Sequence, residues 1–227
     1  MLTVSIDLPP EIKARFSPAI LKLLILIGPV IYVVLTVLAG VALYQKVGLT
    51  VPAISGALKI EEPKIKFAAQ IKWGALVGII AGILIVIVEL VFAPYIPAEL
   101  KAMSDKIKLT VWARFLYGGF TEEIIMRFGL MTIFVWLVFK VAKKLSPAVY
   151  WTGILLAALL FAIGHFPIVF QTVSHPTVPL LLYILIGNSV AGIFFGWLYW
   201  KKGLEAAFIA HIFSHVIMLA AEIIFRL

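Results

Sequence analysis

Residues 110–139 read TVWARFLYGGFTEEIIMRFGLMTIFVWLVF. A helix needs about 20 apolar residues to cross a bilayer, and this stretch exceeds that, yet Glu122, Glu123 and Arg127 stand in its middle. A charge at the bilayer centre costs about 2.5–3.5 kcal/mol even on lenient insertion scales. Three within six residues cannot face lipid. They must face protein or a wet cavity, so the stretch implies a membrane helix enclosed by others.

Apolar runs on either side supply those neighbours. Residues 20–44 carry Gly28-Pro29, where a kink is expected. Residues 71–92 carry Gly74, Gly78 and Gly82 at the four-residue spacing that lets membrane helices approach closely. Residues 148–165 are stopped by Pro167, and residues 178–200 repeat the small-residue spacing at Gly192 and Gly196. Lys201-Lys202-Gly203 reads as a tight turn into residues 204–225. The expected fold is all-α: a polytopic integral membrane bundle of about six transmembrane helices, with five to eight tolerable. Between the spans, residues 45–72, with Pro52, Pro63 and five lysines, read as an extramembrane loop or surface hairpin. Residues 94–108 read as a short amphipathic linker. Residues 1–16 lack the apolar core of a signal peptide, and Phe225-Arg226-Leu227 offers no prenylation site.

Composition agrees. Of 227 residues, 63% are hydrophobic and 13% charged, with a mean hydropathy of +1.14. Soluble domains are roughly 45–50% apolar, so soluble and disordered chains are excluded. The whole chain, 1–227, reads as one membrane-embedded domain, with generic spans in 1–109 and the motif-bearing core in 110–227. The net charge of +8 comes from basic residues in the gaps between apolar runs, where they meet lipid headgroups rather than nucleic acid. With six spans, ten Lys and Arg fall on one side and eight on the other, too small a margin to orient the chain. The absence of cysteine excludes disulfides, thiolate ligands and a cysteine nucleophile.

Glu123 and Arg127 are spaced i, i+4 and can pair, while Glu122 lies about 100° round the helix and is left freer for chemistry. A purely structural ion-pair cluster is the plainer alternative. Three of the four histidines fall inside spans: His165 near the end of its run, and His211 and His215 one turn apart. That spacing suits a metal, a water or an oxyanion, but also hydrogen bonding between helices. His175 lies in a Pro-flanked loop. Glu89 sits near a span end, within reach of an interfacial lysine. Asn188 is expected to bond a neighbouring helix or line the pocket, and Glu205 to complement a helix terminus. Trp73, Trp151, Trp197, Tyr199 and Trp200 read as an interfacial belt. With no cysteine, and no serine at the clustered positions, an activated water is expected in place of a covalent nucleophile.

Taken in order, Glu122-Glu123-x-x-x-Arg127, Phe161-x-x-x-His165 and His211-x-x-x-His215 resemble the CPBP (ABI) family. That family contains the type II CAAX prenyl endopeptidases and bacteriocin-processing or self-immunity proteins. The approach to the last motif, from Gly192 and Gly196-Trp197 through residues 201–207, is also similar, and the resemblance covers about residues 110–225. It implies an intramembrane endopeptidase, multi-pass in the membrane (the cell membrane in a prokaryote), whose partners are the bilayer and a membrane-associated, possibly prenylated, peptide or protein. By position, Glu122 would activate water with His165 helping to hold it. His211 would steady the oxyanion with His215 assisting, and Glu123 and Arg127, with Asn188, would support them. The CAAX branch usually carries asparagine where this chain has His215, which favours a zinc ion held by Glu122, His165, His211 and His215. A site with no tightly bound metal is nevertheless the expectation. The competing readings are a catalytically silent immunity or scaffold protein of the same fold, and a proton-coupled transporter.

Overall fold

A computed structural model describes residues 17–60, 62–63, 65–107 and 110–225. The expectations for residues 1–16 and for Arg226 and Leu227 lie outside the described residues. The long helices are α1 (Pro18–Leu43), α3 (Phe67–Phe92), α5 (Val111–Ala142), α6 (Pro147–Ile163), α8 (Val178–Lys202) and α9 (Leu204–Phe225). Shorter ones are α2 (Pro52–Ala57), α4 (Ala98–Ile107) and α7 (Phe166–Thr172). Six helices, α6 running on through α7 to make one of them, are long and apolar enough to span a membrane, so the chain is a multi-pass integral membrane protein. Among the described residues there is no strand.

Local chemistry sets the boundaries. Ser17, Thr110 and Thr177 accept hydrogen bonds from first-turn amides of α1, α5 and α8, filling donors that a helix start leaves open. Helix α1 passes through Pro29 unbroken, so the expected kink does not interrupt it. The fourth span ends differently from the expectation. Helix α6 stops at Ile163, Gly164 and His165 form a turn, and Pro167 opens the next helix, where a proline in the first turn loses no hydrogen bond.

Five helices close a ring in which α5 packs on α9, α9 on α3, α3 on α8, α8 on α6 and α6 back on α5; α1 lies outside, chiefly against α5. The glycine stripes do what their spacing promised. Gly74, Gly78 and Gly82 of α3 face Ala206, Ala210 and Ser214 of α9, and a Cβ at Gly78 would overlap the Ala210 backbone. On α8, Gly192 and Gly196 sit against Ala158 and Ile154 of α6.

The connection between α1 and α3 is no free loop. Val47 and Leu49 are buried, the Tyr150 hydroxyl donates to the Val47 carbonyl at 2.7 Å, and the Leu204 amide donates to the Thr50 carbonyl at 3.1 Å. Glu205, expected only to complement a helix terminus, is buried and accepts from the Ile54 amide and from Gln70 Nε2, each at 2.8 Å. Beside it Gly203 adopts φ 92°, a conformation few residues tolerate, and a side chain there would strike Pro52. Tyr199 likewise leaves the expected belt: it is buried, its hydroxyl 3.1 Å from that of Thr132.

The two ends of the ring differ in charge. The end where α1, α5 and α8 finish carries Lys46, Lys59 and Lys66 on the first connection, Lys72 near the start of α3, Lys140 in the last turn of α5 with Lys143 and Lys144 beyond it, and Lys201 and Lys202 closing α8. Among the described side chains, the other end carries Glu89, Glu99, Lys101, Arg114 and Glu222.

Candidate active site

The central stretch of α5 is π-helical, in two runs, Arg114–Glu122 and Ile124–Met131, that meet at Glu123. Such wide turns concentrate at functional sites. Here they coincide with Gly118 and Gly119, which bring α9 against α5. A Cβ at Gly118 would lie 2.6 Å from His215 Nε2 and 3.2 Å from His211 Nε2.

Glu123 is wholly buried and joins α5 to α9. One carboxylate oxygen lies 3.1 Å from Arg127 Nε, the i, i+4 partner, and the other accepts from His211 Nδ1 at 2.7 Å. The buried Arg127 guanidinium carbon lies over the rings of Phe161 of α6 and Phe195 of α8, at 5.2 and 5.5 Å from their centroids. That geometry lends a desolvated cation the attraction of two ring faces. The His211 ring lies 4.9 Å from Phe195 and stacks on His215 at 5.0 Å.

Glu122 behaves differently. Its side chain is 22% exposed against none for Glu123, and its Oε2 stands 3.9 Å from His211 Nε2, beyond hydrogen-bond length. The paired and the freer carboxylate are thus assigned as the spacing suggested. His165 sits in the turn between α6 and α7 and donates from Nδ1 to the Phe161 carbonyl at 2.8 Å, which leaves its Nε2 a lone pair in the neutral ring. His215 is mostly enclosed, and its Nδ1 has no hydrogen-bond partner. The Arg114–Glu222 ion pair links the start of α5 to the last turn of α9 on the far side of His215.

One expectation changes. Asn188 donates at 2.9 Å to Ile184 one turn back in its own helix, not to a neighbouring one. Among the described residues, no three His, Asp or Glu side chains group so as to hold a metal ion. Glu122, His165, His211 and His215 are thus not gathered as a metal-binding group, and Glu122 Oε2 stands 3.9 Å from His211 Nε2. Ser214, next to the histidines, is buried and donates to the His211 carbonyl at 2.7 Å.

Sequence reasoning missed the His211–Glu123 bond and the Arg127 contacts with Phe161 and Phe195, which join helices far apart in the chain. Two signals were there to be read: Gly118-Gly119 directly before the acids, and Glu222, seven residues after His215 on the same face of α9.

Compared with known proteins, residues 71–217 match the family model described as type II CAAX prenyl endopeptidase Rce1-like. The match begins in the second long helix, well before the motif-bearing stretch from residue 110. No curated protein and no solved structure matches the chain.

Proposed function

The chain belongs to the type II CAAX prenyl endopeptidase Rce1-like family, a peptidase family, and on that premise we propose that it is an intramembrane endopeptidase. It hydrolyses a peptide bond in a membrane-associated, possibly prenylated, peptide or protein with a water activated by Glu122. The observation that carries this reading is the contrast between the two adjacent carboxylates: Glu123 is locked to Arg127 and His211, while Glu122 is half-open and 3.9 Å from the free edge of the same imidazole. One water with hydrogen bonds of about 2.8 Å to both groups fits that gap at the apex of a shallow triangle.

In this reading Glu122 takes a proton from the water as its oxygen attacks the scissile carbonyl, then returns the proton to the leaving amine as the C–N bond breaks. With Glu123 ionised, His211 donates Nδ1–H to it and turns its Nε2 lone pair toward the water. The Glu123 carboxylate is a positioning group, and Arg127 holds that carboxylate in turn. His165, anchored through Nδ1 to the Phe161 carbonyl, helps to hold the reacting groups from the α6–α7 turn. His215 backs the His211 ring by stacking.

The test is Glu122→Gln against the parent protein in lipid, with a library of membrane-anchored peptides carrying and lacking a prenyl group. The parent is expected to cleave some members, and the variant to lose about 100-fold or more in rate while melting at the parent temperature. Parental cleavage by the variant, or no cleavage of any member by the parent, overturns the proposal.

A further inference from the structure

Among the described side chains, lysines gather at one end of the ring. At the end built from the α1–α3 connection, the α5–α6 turn and the α8–α9 turn, the described side chains comprise nine lysines against Glu62 and the buried Glu205, a net of +7. Among the described side chains of the opposite end, Lys101 and Arg114 stand against Glu89, Glu99 and Glu222, and Arg114 is already paired with Glu222. All the lysines of the basic end are exposed except Lys202, which is half-buried.

These lysines do not simply radiate into solvent. Lys201 Nζ lies 3.5 Å from the centroid of Trp200, Lys202 Nζ 5.0 Å from Trp73 and Lys140 Nζ 5.3 Å from Trp136. Three cations are therefore held at the level of indoles, the side chains that mark the headgroup depth of a bilayer. The platform beneath them is fixed, because the α1–α3 connection is bonded to α6 and α9 through Val47, Thr50 and Ile54.

We propose that this end is a binding surface for the phosphate groups of anionic phospholipids, and that it faces the anionic, cytoplasmic leaflet. Each lysine near such a surface adds attraction that decays within a Debye length. The indoles supply the depth at which headgroup phosphates sit. The candidate active site then belongs to the same half of the membrane along α9, since His211 is seven residues from Leu204 and fourteen from Phe225.

The experiment is native mass spectrometry of the full chain exchanged from detergent into phosphatidylglycerol or phosphatidylcholine. The parent is expected to retain phosphatidylglycerol about fivefold or more over phosphatidylcholine. A variant with Lys46, Lys143, Lys144 and Lys201 all changed to Gln, all exposed and outside the site, is expected to lose that preference. The matching Lys→Arg variant is expected to keep it. Equal retention by the parent, or undiminished preference in the Gln variant, overturns the proposal. Because the chain has no cysteine, single substitutions report the side directly. In intact spheroplasts an impermeant maleimide should label Glu99→Cys but reach Lys144→Cys only after lysis, and the reverse pattern overturns the leaflet assignment.

Discussion

Glu123 sits between a cation and an imidazole with no solvent contact, so each partner holds the others. Removing one side of a buried ion pair strands the other charge at a cost of about 3–5 kcal/mol. Arg127→Met is therefore expected to lower the thermal midpoint in detergent by many degrees, while Glu122→Gln leaves it unchanged; a melting series on the two variants checks the contrast. For metal, elemental analysis of purified protein is expected to find no stoichiometric zinc, and zinc bound one to one and lost in His215→Asn would contradict the donor geometry. Much at this scale was readable in advance. Lipid forbids Glu122, Glu123 and Arg127 from facing outward, so their presence in an apolar run announced an interior. The bond from Glu123 to His211 was not readable, because 88 positions separate the two and nothing in either helix fixes their relative rotation.

Helix contacts in this bundle depend on missing side chains. Gly78→Ala places a methyl group in the Ala210 backbone and should part α3 from α9, lowering the thermal midpoint. Gly28→Ala, with open space around it, is expected to be neutral or to stabilise by up to about 1 kcal/mol through helix propensity; both are measured by the same melt. Gly118→Ala is the more informative change. Its methyl would press on His215 and His211, so peptidase activity should fall sharply in a protein that still folds, as circular dichroism and the thermal midpoint would report. The glycine stripes were legible because a period of four is itself a packing signal. The π-helical run was not, since wide and ordinary turns share one pattern of apolar residues over so short a distance.

At the scale of the whole molecule, a segment whose composition looked like a loop is bonded onto the closed ring. Two prolines and four lysines interrupt residues 44–66, yet Val47, Leu49 and Val51 alternate inward and Glu205 receives the Ile54 amide. Six spans were legible from length and hydropathy alone, whereas this attachment was not, because the residues it joins are 151 positions apart. Glu205→Ala would leave the Ile54 amide and the Gln70 side chain without that acceptor, a loss of about 1–3 kcal/mol. Chemical or thermal unfolding in detergent should show it, with the connection becoming the first site of proteolysis. The placement of α1 has a broader consequence. A barrel whose hoop is complete without one stave can exchange that stave, and the family match starts only at residue 71. Chains that keep the hoop but wear a different leading helix should preserve the chemistry inside while changing what that chemistry is moored beside.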